Sequence, residues 1–169
     1  MISVSSKQIA IIGAGQLGSR HLQGLAKTSH EIDITVVDPN PDSLDLAKKR
    51  YDEIPINPLV GTVNYFSTLK DLKHNLDLAI ISTNADIRCK VVKTLLCKVD
   101  IKYFILEKVT FQSIKDFEIV TELLDRKNIN AWVNCSRRMV PFFRDLREKT
   151  IQEEKISICL SGSKWGLAS

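Results

Sequence analysis

The sequence has no C-x-x-C pair, no apolar run approaching the ~18 residues a membrane span needs, and no long block of basic residues. Each absence removes a class of function. The four cysteines, Cys89, Cys97, Cys135 and Cys159, lack companion histidines at zinc spacing, so no metal site is expected. They read as buried or half-buried thiols in a reducing cytosol, which makes the chain cytoplasmic. The stretch Met1–Lys7 lacks the basic region and apolar core of an export signal, so neither secretion nor membrane insertion is expected. The formal net charge is only +4, and its carriers, such as Lys48-Lys49-Arg50 and Arg137-Arg138, are dispersed without interleaved aromatics. No nucleic-acid partner follows from that pattern. Histidine is scarce as well: His21, His30 and His74 do not cluster, and none is placed as a general base. His21 reads as a helix residue packed near the first turn, the other two as exposed.

What is present begins with Ile9-Ala-Ile-Ile-Gly13-Ala-Gly15-Gln-Leu-Gly18, an apolar run closing in G-x-G-x-x-G. Twenty residues after Gly18, Asp38 ends a second apolar run. The spacing predicts a dinucleotide-binding turn: Gly13 for the backbone torsions, Gly15 for close approach of a pyrophosphate, Gly18 for close packing of helix on sheet. Gly15, Gln16 and Leu17 would then direct free N–H groups and a positive dipole end at the phosphates. Asp38 would accept hydrogen bonds from the adenosine ribose, and its charge would repel the 2′-phosphate of NADP, so NAD is the expected cofactor and NADP the less favoured one.

At 169 residues the chain suffices for one well-buried domain but not two full ones. Along it, strand-like apolar runs alternate with amphipathic ones, which predicts an α/β fold with a doubly wound parallel sheet. Strands are expected over 8–12, 33–38, 63–67, 76–82, 102–106 and 130–133. Helices are expected over 16–27, 41–51, 68–73, 85–98, with the stripe Ile87, Val91, Leu95, Leu96, then 113–126, with Phe117, Val120 and Leu124, and 138–150. A further strand over 155–160 and its open edge would belong to something beyond a dinucleotide domain, which the pattern completes by about residue 136.

Open parallel sheets bind ligands where their strands exit. The polar exits are the glycine turn, Asp38, Ser82-Thr83-Asn84, Glu107-Lys108 and Asn134-Cys-Ser-Arg137-Arg138. In that order and spacing, with Arg20-His21 and Leu25 in the first helix, the chain resembles the N-terminal half of the glucose-fructose oxidoreductase, inositol dehydrogenase and rhizopine-catabolism family (Gfo/Idh/MocA).

The resemblance implies a domain over residues 1–136 that binds NAD(P), with residues 137–169 starting a truncated second domain. It implies that Lys108, in the place of the family's E-K-P lysine, is the catalytic residue. That lysine would contact the nicotinamide ribose and the reacting hydroxyl, stabilising the alkoxide that develops as hydride leaves. Glu107, Ser82, Thr83, Asn84, Asn134 and Arg137 would hold the cofactor side of the site. Val109 and Thr83 stand where the family has prolines. Trp165 is placed either to close over the nicotinamide or to make a domain or subunit contact. In the family the proton-accepting histidine, most of the substrate pocket and the contact for a homo-oligomer come from the second domain. The implied reaction is hydride transfer between nicotinamide and a hydroxyl-bearing carbon of a sugar, cyclitol or sugar-derived acid. Two other readings are a non-catalytic NAD-binding regulatory or structural module, and an S-adenosylmethionine methyltransferase. The second fits poorly, because no acid accompanies the glycines of the first turn.

Overall fold

The computed structural model describes residues 6–151, 155 and 157. The chain divides into two units, Met1–Asn134 and Cys135–Ser169.

The first unit alternates strand and helix, except that only a 3-10 turn separates β3 from β4: β1 Lys7–Ile12, α1 Gln16–Leu25, β2 Ile32–Val37, α2 Pro41–Asp52, β3 Val60–Phe66, β4 Asn75–Ile81, α3 Ala85–Lys98, β5 Asp100–Leu106, α4 Ile114–Arg126 and β6 Asn130–Val133. The six strands form one parallel sheet in the order β3-β2-β1-β4-β5-β6. β1 and β2 are near-continuous aliphatic runs because helices cover both faces of the sheet. Successive β1 residues serve opposite cores: Ile9 and Ile11 join Leu22 of α1 and Ala47 of α2, whereas Ala10 and Ile12 join Val92, Leu95 and Leu96 of α3.

The helix starts follow local chemistry. Asn40 caps α2 by accepting the Asp42 N–H at 3.0 Å, with Pro41 in the first helical position. Ser113 caps α4 by accepting the Asp116 N–H at 3.0 Å.

Several boundaries differ from the sequence reading. β3 starts at Val60 and β5 at Asp100, and the expected helix over 68–73 is a 3-10 turn, Leu69–Asp71. The apolar stripe of α3 is turned by one position: Arg88, Cys89, Val92, Leu95 and Leu96 are buried, while Ile87 is 48% exposed. In α4, Val120 and Leu124 are buried but Phe117 is half-exposed, edge-on to Phe111 at 6.0 Å. Cys89 is buried, but Cys97 and Cys135 are exposed, contrary to the expectation for the thiols. Cys97 falls off the buried stripe because eight residues from Cys89 turn the helix by roughly 80° beyond two full turns.

In the second unit the helix expected from residue 138 splits into a 3-10 turn, Ser136–Met139, and α5, Pro141–Thr150. The break falls at Val140, since proline disfavours helical torsions in the residue before it and is pre-organised for the first helical position. The expected strand over 155–160 falls largely outside the described residues.

Candidate functional site

Register places the polar strand exits in one row. Ile12 pairs with Val37 and with Ile81, Ile81 pairs with Leu106, and Leu106 pairs with Val133. The next residues, Asp38, Gly13, Ser82, Glu107 and Asn134, therefore share the carboxyl edge of the sheet. Main-chain bonds extend the ladder past the strands: Gly13 N–H donates to Val37 O at 2.8 Å, Ser82 N–H to Ile12 O at 2.9 Å, and Asn134 N–H to Leu106 O at 2.7 Å. Strand order reverses between β1 and β4, where open α/β sheets form their ligand crevice.

At that switch point lies a cleft of about 500 Å3 lined by Gly13, Gly15, Asp38, Thr83, Asn84 and Ile87, with Leu69 and Val91 adding apolar wall. The three glycines have different reasons to be there. Gly13 has φ +96°, and a Cβ on it would meet Thr83 N at 2.8 Å. A Cβ on Gly18 would lie 1.8 Å from Gly13 O, so α1 packs directly on the turn. A Cβ on Gly15 would meet nothing within 4 Å, because that residue faces the open cleft. Gly15 is the N-cap of α1, no side chain caps it, and the first turn holds no acid. Its leading N–H groups are thus left for an anion.

Asp38 Oδ2 accepts the Ala14 N–H at 2.7 Å, and Oδ1 accepts the Asn40 N–H at 2.8 Å. A carboxylate has about four acceptor positions, so about two remain for a ligand's hydroxyls. Thr83 Oγ1 is buried without a partner, and Asn84 starts α3 without using its side chain as a cap. Ser82 lines the cleft, but its hydroxyl is directed at Gly13 O, 2.7 Å away, where it braces the turn. Gln16 is exposed, with its side-chain oxygen accepting from Arg50 of α2 at 2.6 Å, and Leu17 is 51% exposed on the same turn.

Beyond the cleft, Glu107 is buried, and its Oε1 accepts from Asn134 Nδ2 at 2.5 Å and lies 2.6 Å from His21 Nε2. Glu107 and Asn134, flagged separately in sequence, are therefore one hydrogen-bonded group, to which α1 contributes a histidine. Arg88, 3% exposed, donates to the carbonyls of Thr83, Glu107, Val109 and Thr110, the last at 2.9 Å. Burial lowers its pKa, partly offset by the Glu107 carboxylate. Lys108 is exposed on the turn after β5 and is not among the residues lining the cleft; its peptide bond to Val109 is cis. Arg137 lies in the 3-10 turn of the second unit, and its side chain falls outside the described residues, as does Trp165.

Sequence reasoning missed Arg88 and Arg50. Between Ile87 and Cys89 an arginine reads as a solvated face. The available signal was its place in the first turn of α3, where the helix dipole disfavours a cation and some other partner must compensate.

A larger cavity, about 640 Å3, lies at the opposite, amino-terminal edge of the sheet among Ser6, Asn75, Asp100 and Lys127. Its Asp77 is engaged by Lys102 at 2.7 Å. It is remote from the strand exits, so the smaller cleft is the candidate site. The uncapped helix start, the open face of Gly15 and the orphaned Thr83 hydroxyl fit a dinucleotide. Among the described residues, no helix is long and apolar enough to cross a membrane.

Comparison with known proteins agrees with this geometry. The WlbA dehydrogenase of Bordetella pertussis, solved with NADH and UDP-GlcNAcA, is 16% identical with a TM-score of 0.69, over 88% of this chain and 42% of that one. A Gfo/Idh/MocA family oxidoreductase of Vibrio cholerae is 21% identical with a TM-score of 0.68, over 88% and 45%. An oxidoreductase of Agrobacterium radiobacter, solved with NAD+, L-tartaric acid and magnesium, is 16% identical with a TM-score of 0.65, over 91% and 42%. At these identities the likeness is one of fold, and the chain spans less than half the length of each. No curated protein matches the sequence. The TrkA-N domain matches residues 9–131, which run from the first strand through the glycine turn and cleft into β6, and the chain therefore belongs to this family of NAD-binding domains.

Proposed function

We propose that the chain is the NAD-binding part of an oxidoreductase that moves hydride between nicotinamide and a hydroxyl-bearing carbon of a sugar, cyclitol or sugar-derived substrate. The observation that carries the cofactor side is the open, uncapped start of α1 beside Asp38 at the switch point of the sheet. Main-chain N–H groups of Gly15, Gln16 and Leu17 hold the pyrophosphate, and the spare lone pairs of Asp38 take the adenosine ribose hydroxyls. A carboxylate at that position favours NAD over NADP.

When bound, nicotinamide supplies the hydride-accepting centre. Across the switch point, Thr83 and Asn84 wall the cleft, and Lys108 is presented on a turn whose preceding residue is clamped by His21 and Asn134. An exposed ammonium there is available to a substrate oxygen, where it would stabilise developing alkoxide charge. The sugar-type substrate rests on the resemblance carried by Glu107-Lys108 and Asn134, and on a structural neighbour solved with a sugar nucleotide. We assign residues from 137 onward to the start of the next domain, and the proton acceptor to that domain.

The test is titration of NADH and NADPH into the protein, followed by nicotinamide fluorescence. Asp38→Ala is expected to weaken NADH more than NADPH, since it removes both the ribose acceptor and the repulsion of a 2′-phosphate. An equal loss for the two nucleotides would show that Asp38 acts only through its main-chain bonds to Ala14 and Asn40. Failure of either to bind at millimolar concentration would remove the cofactor assignment. A panel of sugars and polyols, with NAD reduction as readout, tests the substrate class.

A further inference from the structure

A buried guanidinium needs a reason, because an unpaired charge in an apolar interior is costly. Arg88 sits in the buried stripe of α3, flanked by positions that hold Cys89 and Val92. An aliphatic side chain there would complete the packing without any desolvation cost. The arginine instead directs its planar fork at the main chain of two strand exits. One terminal nitrogen donates to Thr83 O, and the other is shared among Glu107 O, Val109 O and Thr110 O. Lysine could not repeat this, as it offers one compact donor centre where arginine offers a rigid fork.

Those two exits have different places in the site. Thr83 lines the cleft, whereas residues 107–110 form the turn that bears Lys108. The acid and glycine turn lie at the exits of β2 and β1, and every acceptor that the Arg88 guanidinium reaches is instead a carbonyl at the exits of β4 and β5. A dinucleotide laid across the crevice with its adenosine ribose on Asp38 brings its second nucleoside to the exits of β4 and β5.

We propose that Arg88 is a positioning residue: it fixes the Lys108-bearing turn against the Thr83–Asn84 wall, and so shapes the nicotinamide half of the site while leaving the adenosine half independent of it. The assignment rests on the NAD-binding reading above. Glu107 is thereby held twice, its carbonyl by Arg88 and its carboxylate by His21 and Asn134. The residue before Lys108 has little freedom left to move.

The experiment compares a probe of half the site with a probe of all of it. ADP reports the adenosine side alone, and NADH reports both. In Arg88→Lys, which keeps the charge and loses the fork, NADH affinity is expected to fall about tenfold while ADP affinity stays within about twofold. Arg88→Gln, which keeps a planar donor without the charge, should retain more NADH affinity than the lysine variant. Equal losses for ADP and NADH would mean that Arg88 supports the fold in general, and no loss for either would mean that the two turns hold themselves; both overturn the proposal. Failure of both variants to fold, read by circular dichroism, would make Arg88 a requirement of folding and overturn it too. If the unaltered protein binds neither probe, the NAD-binding reading itself falls, a result distinct from a variant that loses both equally.

Discussion

Substituting Gly18 by alanine sets two physical effects of opposite sign against each other. Gly18 lies inside α1, where helix propensity alone favours alanine over glycine by about 1 kcal/mol. The new Cβ, however, would lie 1.8 Å from Gly13 O and 2.8 Å from Ser82 Oγ. An unstrained contact needs roughly 3.5 Å, so helix and turn must separate by more than about 1.5 Å. The obstacle is backbone, and it is tied on both sides, by the Gly13 N–H to Val37 O at 2.8 Å and by Ser82 Oγ on Gly13 O. Overpacking of this kind costs about 3 kcal/mol or more, which leaves a net loss of about 2 kcal/mol after the propensity gain. At a urea slope of about 2 kcal/mol/M, the unfolding midpoint should drop by about 1 M. Gly15→Ala is the matched control. A Cβ there meets nothing within 4 Å, so the midpoint should move by less than about 0.5 M, while NADH affinity falls about tenfold because the methyl group projects into the space the pyrophosphate needs. Urea unfolding followed by circular dichroism, paired with NADH titration, reads both variants. A Gly18→Ala protein as stable as the original would refute the packing argument, and a Gly15→Ala protein with unchanged NADH affinity would refute the cradle.

Acid should weaken the sheet through Asp33, whose carboxyl is held at about 2 chiefly by the Gln8 side-chain hydrogen bond, with burial opposing and Thr62 adding two more bonds. Because the folded pKa lies below the ordinary 3.8, this stability is present above about pH 4 and is lost as pH falls through 2. It amounts to about 1–2 kcal/mol after discounting for solvent around a partly exposed carboxylate, and Asp33→Asn should flatten that part of the pH profile in urea titrations at pH 5, 3 and 2. Lys108→Ala should leave the NADH dissociation constant within about threefold, since the side chain lies outside the cleft lining; a larger loss would place the ammonium on the cofactor itself.

What was legible in sequence was whatever depends on neighbours along the chain. The G-x-G-x-x-G turn, the acid twenty residues on and the alternation of strand and helix are local, and the parallel order follows from them by few choices. Boundaries drifted where edge strands are only half buried, as at Val60, and where Pro141 interrupted an amphipathic pattern. The α3 stripe was turned by one position because Ile87 faces the cleft, while Val91 lines the cleft and packs only against the margin of the core.

Tertiary structure decided the rest, because those facts depend on residues brought together across strand pairing. The motif already groups Asp38, Gly13, Ser82, Glu107 and Asn134 as strand exits and gives Gly15 and Gly18 different tasks; only register fixes how those exits pair, and only packing fixes the 1.8 Å from Gly13 O that excludes a Cβ on Gly18. Nor does spacing along the chain reveal that Asp38 is already bonded to Ala14, that His21 and Asn134 meet on Glu107 across 86 and 27 residues, or that a lone arginine in an apolar stripe binds the carbonyls of two turns. The sequence by itself determined the kind of turn and the order of the elements, since both follow from backbone torsions and periodic burial. Which side chains face a ligand, and which are spent holding one another, was decided by the fold, since hydrogen bonds between distant residues form only once the sheet has aligned its strands.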